Sequence, residues 1–364
     1  MELDSLRGLA ALAVALYHYT RRYDELYGHG PGLLASLPWG NYGVQVFFII
    51  SGFVILMSVQ RSKSAATFAV QRASRLYPPF WVACVVTWLA VYFLGLEGRA
   101  VSIESAALNL TMAPFWFKWL HPGVWYIDGA YWSLKEELLF YIVIAGVLAA
   151  GARRHALAVV TGLMALHLAG TLLANFTSVD IAAWVAAELG YKNAFNLSMV
   201  FTLRWFSLFA LGMVIYEARS GFRRRHAAVL LLVFLDQLPG EFWTPEGRTE
   251  PWREFVAVCL GGFLVWVATH YRPRALRVRP LLFLGTISYS FYLLHQNIGY
   301  IVIRELEERG VNATVAVLGA LAVTVGLASG LAFGVEKPTY RIVKGWLSRR
   351  QPAAAGERGL LPST

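Results

Sequence analysis

Charge is scarce in this sequence. Only 15% of its 364 residues are Asp, Glu, Lys or Arg while 57% are hydrophobic, and the mean hydropathy is +0.52. A soluble domain carries about 25% charged residues, so this balance excludes an ordinary water-soluble fold and points to a chain that crosses the bilayer many times. Cysteine is nearly absent as well. Cys84 and Cys259 both lie inside apolar runs, and no CxxC or Cys/His ligand spacing occurs, which excludes a disulfide framework and a zinc site. Acidic residues are outnumbered, 22 against 32 basic ones. The resulting charge of +10 does not indicate nucleic acid, because the basic residues fall in short clusters between apolar runs and do not cover one surface. They have the pattern of topology signals. The start of the chain lacks a basic region and a small-residue cleavage site, so its first apolar run is expected to remain as an uncleaved helix. No repeat of solenoid length and no second soluble domain is evident.

What the sequence does contain is long apolar runs. Those of roughly 17 to 25 residues predict ten spans, near 5–23, 41–60, 76–95, 132–150, 156–175, 198–217, 227–242, 252–270, 281–303 and 312–335. The expected fold is all-α, a polytopic integral membrane protein with one membrane domain over 1–350 and a disordered tail over 351–364. The seventh run is short for a span and would need tilt, bilayer thinning or a broken helix. Lys and Arg in alternate connections number 20 on one side and 9 on the other, so the positive-inside rule puts both termini in the cytoplasm. MAPFWFKWLHPGVWYIDGAYW, before the fourth span, is dense in aromatics; interfacial anchoring and a sugar-stacking platform are both open. PGEFWTPEGRTEPWRE reads as a loop.

Ionisable side chains inside such runs are expensive and face protein or water. The first run carries Arg7 and His18 with ten residues between them, about 16 Å along a helix; a snorkelling Arg and a hydrogen-bonded structural His are the bland alternatives. The second run holds Ser51 and Gly52, a small pair suited to close helix packing. In QRASRLYPPFW, Arg72 and Arg75 share a helical face and are suited to forked bonds with phosphate, against the simpler reading of positive-inside arginines. Pro78 and Pro79 mark the start of the third span. WSLKEELLFY brings Lys135, Glu136 and Glu137 into a membrane helix. Counting from the helix ends puts Glu137 and His18 at one depth, about 7.5 Å in, with Arg204 level and His295 deeper, so these four are expected to define one polar cavity. The competing reading pairs Glu136 or Glu137 with Lys135 or Arg204. His167 reads as a satisfied buried histidine, and Asp236 is assigned nothing. In GVEKPTYR, Lys337 and Arg341 suit a helix end, while Glu336 is placed to order neighbouring arginines.

LDSLRGLAALAVALYHY with its R-x10-H spacing, FFIISGF, RASRLYPPFW, WSLKEELLFY, ISYSFYLLH and EKP occur in this order between residues 3 and 338. Together they resemble the membrane-bound acyltransferase family 3, prokaryotic enzymes that acylate cell-surface glycans and other hydroxyl compounds. The resemblance implies an acyl-CoA co-substrate, commonly acetyl-CoA, no permanently bound cofactor and no metal, a glycan or similar acceptor beyond the membrane, and the bacterial inner membrane as location. It assigns His18 as catalytic base with Arg7 as its partner, Arg72 and Arg75 with Glu336 to the donor, and Glu137 to the fourth-span glutamate position; Glu136 stands where an apolar residue is common. On this reading the donor's thin arm passes Ser51 and Gly52, Glu137 orients His18, and Arg204 or Tyr292 stabilises the oxyanion. Direct transfer and an acyl-histidine intermediate are both open. A transporter or flippase for a lipid-linked or small hydrophobic substrate is the alternative.

Overall fold

Apolar runs in lipid leave the backbone only internal hydrogen bonds, and helices supply them without a partner strand. A computed structural model describes residues 1–118, 120–176, 203–237 and 252–349, among which there is no strand. In chain order the helices are α1 (Glu2–Tyr17), continued by a π-helical turn His18–Arg22, α2 (Tyr23–Tyr27), α3 (Gly43–Arg61), α4 (Ala65–Leu94), α5 (Ile103–Asn109), α6 (Trp132–Ala149) and α7 (Ala156–Phe176). There follow α8 (Phe206–Ala218), α9 (Arg224–Gln237), α10 (Trp252–His270), α11 (Arg279–Leu294), α12 (Gln296–Glu308), α13 (Ala313–Leu331), a second π turn Ala332–Glu336, and α14 (Lys337–Arg349). Side-chain caps start several of them: Ser64 Oγ accepts from Thr67 N at 3.1 Å before α4, and Asn312 Oδ1 from Thr314 N at 2.9 Å before α13.

Helix occupies part of each predicted run, but five helical segments among the described residues are long and apolar enough to cross a membrane: 40–61, 65–94, 153–173, 252–270 and 313–349. The others fall short for visible reasons. Helix α11 has 16 residues and α8 has 13, α6 carries Lys135, Glu136 and Glu137, and the continuous helical run of α1, its π turn and α2 carries Asp4, Arg7, His18, Arg21 and Arg22. The ninth run, expected as one span over 281–303, is two helices meeting at His295. The third begins eleven residues earlier than the sequence indicated, at Ala65, so Pro78 and Pro79 lie inside α4 and do not open it. Arg72 and Arg75 therefore project from a long helix and not from a loop. Residues 198–202 and 238–242 of the sixth and seventh runs, most of PGEFWTPEGRTEPWRE and the expected tail over 351–364 lie outside the described residues.

Helix α1 packs most extensively on α11, and α3 on α8. Both contacts depend on glycine. A Cβ on Gly52 would fall 2.0 Å from the Phe209 carbonyl oxygen, and one on Gly212 would fall 1.9 Å from that of Ile49. Away from these contacts α4 exposes Trp81, Val85, Leu89 and Phe93, an apolar stripe at four-residue spacing of the kind that faces lipid.

Candidate active site

The α1–α11 contact sets the register of the site. A Cβ on Gly8 would lie 2.5 Å from Gly285 N, and one on Gly285 would lie 2.2 Å from Asp4 O, so the two backbones touch. Each glycine precedes a histidine by ten residues, His18 and His295. The helices run in the same direction, since Glu2 meets Arg277 near their starts, and about 15 Å further on the histidines arrive together. His18 Nδ1 lies 3.0 Å from His295 Nε2, with ring centroids 4.9 Å apart.

The protons on this pair follow from its acceptors. His295 Nδ1 lies 2.7 Å from Tyr292 O, and His18 Nδ1 lies 3.0 Å from Val14 O. A carbonyl oxygen accepts only, so for neutral rings both Nδ1 atoms carry the hydrogen, an assignment made from the network. His295 Nε2 is then an acceptor for the His18 N–H, and His18 Nε2 keeps its lone pair. That nitrogen has no protein partner among the described residues.

Tyr19 ties both sides of the pair. Its buried hydroxyl donates to His295 O at 2.7 Å and also meets Thr324 Oγ1, and its ring occupies the space that a side chain at Gly299 would fill. In the π turn its carbonyl accepts from His29 Nε2 at 2.7 Å, while His29 Nδ1 faces Glu307 Oε1 at 2.7 Å. Such π turns frequently occur at functional sites. Across the mouth, Asp128 accepts from Ala130 N and Asn297 N, both at 2.9 Å. Burial pushes its carboxyl up to about 6, against the opposing pull of those two N–H groups.

At the other end of α1, Arg7, Ser51, Glu137 and Tyr289 line two adjoining cavities. One, about 360 Å³, adds Arg72, Arg75 and Tyr141; the second, about 430 Å³, adds Phe47, Ser133 and Tyr292 and extends along α11 toward His295. Glu137 Oε1 accepts from Ser51 Oγ at 2.8 Å and from the Tyr141 hydroxyl. The Arg72 guanidinium donates to Ser58 Oγ and lies over the rings of Phe68 and Tyr141. Ser290 Oγ donates to Glu336 Oε2 at 2.7 Å, at the end of the second π turn. Among the described residues none of Arg7, Arg72 and Arg75 forms an ion pair. Three guanidinium groups without an ion pair outnumber the neighbouring carboxylates of Glu137 and Glu336 and make a site for an anion.

The expected four-residue cavity is therefore divided. His18 and His295 are together, whereas Glu137 belongs with Arg7, Arg72 and Arg75, and the His18 tautomer is set by Val14 O with His295 Nε2 and not by Glu137. The count from the helix ends misplaced Glu137 in depth: it lies level with Arg7 and Ser51, about 16 Å along α1 from His18. Arg204 is elsewhere, paired with Glu254 at 2.6 Å and over the Trp205 ring. Glu136 pairs with Lys135 at 2.9 Å, both buried. Gly52 is sealed against Phe209 and lines neither cavity. Tyr292 lines the second cavity, but its hydroxyl donates to Ala130 O at 2.9 Å and meets Ser133 Oγ at 2.8 Å, so it is not spare to hold an oxyanion. His167 is satisfied as expected, on Asp236 at 2.9 Å, but it is half-buried where a buried ring was expected. Tyr19, His29, Tyr141 and Tyr289 had no signal beyond aromatic or loop composition.

A helical protein with an unpaired arginine cluster at one end of its first helix and a histidine carrying a free lone pair at the other is the class these features define. The chain belongs to acyltransferase family 3: the family's profile, described as an acyltransferase domain, matches residues 2–333. It is similar to "Exopolysaccharide production protein ExoZ" of Rhizobium meliloti (strain 1021), 37% identical over 37% of this chain and 43% of that protein. It is also similar to "Nodulation protein 10" of Rhizobium leguminosarum bv. viciae, 33% identical over 39% and 42%, and to the "O-acetyl transferase" of Shigella phage Sf6, 27% identical over 38% and 43%. The matched part is thus about two fifths of each of these relatives. No solved structure matches the chain.

Proposed function

We propose that this chain is an integral membrane O-acyltransferase of the bacterial inner membrane that moves an acyl group, acetyl in the simplest case, from cytoplasmic acyl-CoA to a hydroxyl of a glycan or similar acceptor. The observation that carries this reading is the division of one helix, α1, between an anion-binding cavity at Arg7 and a base at His18. The family and the "O-acetyl transferase" relative favour acyl transfer, and the exopolysaccharide relative favours a glycan.

The phosphates of the donor bind at Arg7, Arg72 and Arg75, with Glu336 beside them, and its pantetheine arm runs through the cavity beside Ser51, Tyr289 and Tyr292 toward the histidines. Glu137 is held by Ser51 and Tyr141 and offsets part of the repulsion between Arg7 and Arg75. At the far end His18 Nε2 takes the proton of the acceptor hydroxyl as its oxygen attacks the thioester carbonyl. The C–S bond then breaks, the acyl group stays on the acceptor oxygen, and the leaving thiolate collects the proton from the imidazolium. His295 keeps the other His18 nitrogen protonated throughout, so one lone pair serves both proton steps.

Purified protein incubated with acetyl-CoA labelled in its acetyl group and an acceptor pool tests this directly. The wild type should release CoA thiol and label the acceptor. His18→Ala should lose at least about a hundredfold of that activity, within the usual contribution of a general base, while melting at the same temperature. Full activity in His18→Ala removes the histidine from the chemistry; no thiol release by the wild type removes acyl transfer.

A further inference from the structure

The end of the site that would receive the acceptor holds polar groups without partners. Gln296 and Tyr300 are four apart on α12 and so share one helical face. Both are buried, and among the described residues neither the Gln296 Oε1 atom nor the Tyr300 hydroxyl has a hydrogen-bond partner. Buried polar groups are nearly always paired, and orphans need an explanation. The Tyr300 ring lies edge-on to His18 with centroids 6.3 Å apart. The guanidinium of Arg99 lies over the same ring, 5.8 Å from its centroid.

Arg99 is half-buried and forms no ion pair among the described residues; its Nε contacts the Tyr27 hydroxyl at 3.4 Å. Gly129 marks where Gln296 and Arg99 approach one another. A Cβ built there would lie 3.0 Å from Gln296 Nε2 and 3.5 Å from Arg99 Nη1, so even a methyl group would fill the gap between amide and guanidinium.

We propose that Gln296 and Arg99, which meet at Gly129, and Tyr300, which lies beside both Arg99 and His18, form the acceptor subsite, and that it selects a polyhydroxylated ring, a glycosyl unit, over a simple aliphatic alcohol. This rests on the acyl-transfer reading above for its role, though not for its binding chemistry. The three groups alternate in kind: the Gln296 oxygen accepts from a ligand O–H, the Arg99 guanidinium donates to a ligand oxygen, and the Tyr300 hydroxyl does either. Neighbouring hydroxyls on a sugar ring answer all three while one of them reaches His18. An aliphatic alcohol has nothing for the other two and leaves the orphans as they are. Arg99, weakly held on the α4–α5 connection, is the group the ligand displaces to reach the Tyr300 hydroxyl.

Binding tests the subsite without any reaction. Saturation-transfer NMR on the full chain in detergent would use the methyl glycosides of glucose, galactose, mannose and N-acetylglucosamine, with cyclohexylmethanol as the apolar alcohol. At least one glycoside should bind the wild type more tightly than cyclohexylmethanol. Tyr300→Phe, which removes only the hydroxyl, should weaken it about tenfold, the loss of one buried hydrogen bond. Gly129→Ala should do the same by filling the gap, and acetyl-CoA affinity should stay within twofold in both. Absence of glycoside binding to the wild type, or equal binding by Tyr300→Phe and the wild type, overturns the subsite. Glycoside binding as described by a protein that releases no thiol from acetyl-CoA overturns the acyl-transfer reading instead.

Discussion

A general base needs a lone pair aimed at its substrate and a proton kept off that nitrogen until the reaction puts it there. On the proposed mechanism His18 meets the second requirement because its Nδ1 hydrogen is committed to Val14 O and to His295 Nε2, which can accept since the His295 Nδ1 hydrogen is committed to Tyr292 O. Replacing the acceptor should therefore slow the reaction without weakening the donor. His295→Phe is expected to lower kcat about a hundredfold, the scale of loss when a reacting group is misaligned, with KM for acetyl-CoA within twofold. His295→Asn retains an acceptor oxygen and should recover part of the rate. A rise in the acetyl-CoA KM with kcat intact would place His295 in donor binding. At this scale the sequence was informative wherever chemistry conflicted with surroundings: Arg7, His18, Glu137 and His295 stand out as ionisable groups in apolar runs. Tyr19, His29 and Arg99 did not stand out, because a tyrosine near a membrane interface or an arginine in a connection has an ordinary explanation. Only their contacts distinguish them.

Elements bring those residues together by register, and the register depends on two glycines. With Gly8 against Gly285 and ten residues to each histidine, a shift of one helix past the other by a single residue, about 1.5 Å, would break a 3.0 Å contact. Gly285→Ala places a methyl group where Asp4 O lies 2.2 Å away, and backbone cannot turn aside as a side chain does. We expect it to cost about 1–3 kcal/mol, the range for overpacking, seen as a lower melting temperature, and to reduce kcat as the histidines separate. Gly162→Ala on α7, where an added Cβ meets nothing, should melt at or above the wild-type temperature. Equal behaviour of the two variants would remove the register argument. The helices themselves were legible from apolar runs, and α6, α7 and α10 lie within one residue of the expected bounds. The break at His295 and the two π turns were not. A π turn differs from an α turn by one unbonded position, and that position is decided by tertiary partners such as the His29 bond to Tyr19 O.

Across the whole molecule the connections sort into two ends. Arg277 meets Glu2, and Arg153 donates to Ser62 O, which gathers the start of α1, the α3–α4 turn, the α6–α7 turn and the α10–α11 connection at the end near Arg7. His29 meets Glu307, Ala313 N donates to Pro31 O, and Arg304 donates to Gly95 O, which gathers the segments after α2, α4 and α12 at the end near His18. The strongly basic connections belong to the first group, and on the positive-inside rule we propose that the arginine cavity faces the cytoplasm and His18 the opposite half. Acyl-CoA is charged and does not cross a bilayer, so this orientation makes a one-sided prediction. In sealed inside-out vesicles, added acetyl-CoA should reach Arg7, Arg72 and Arg75 and support acylation of an acceptor trapped in the lumen. In right-side-out vesicles of the same preparation it should support none until detergent opens them. Equal rates from both kinds of sealed vesicle would mean that donor and acceptor share one face, and the length of α1 between its arginine and its histidine would then need another purpose.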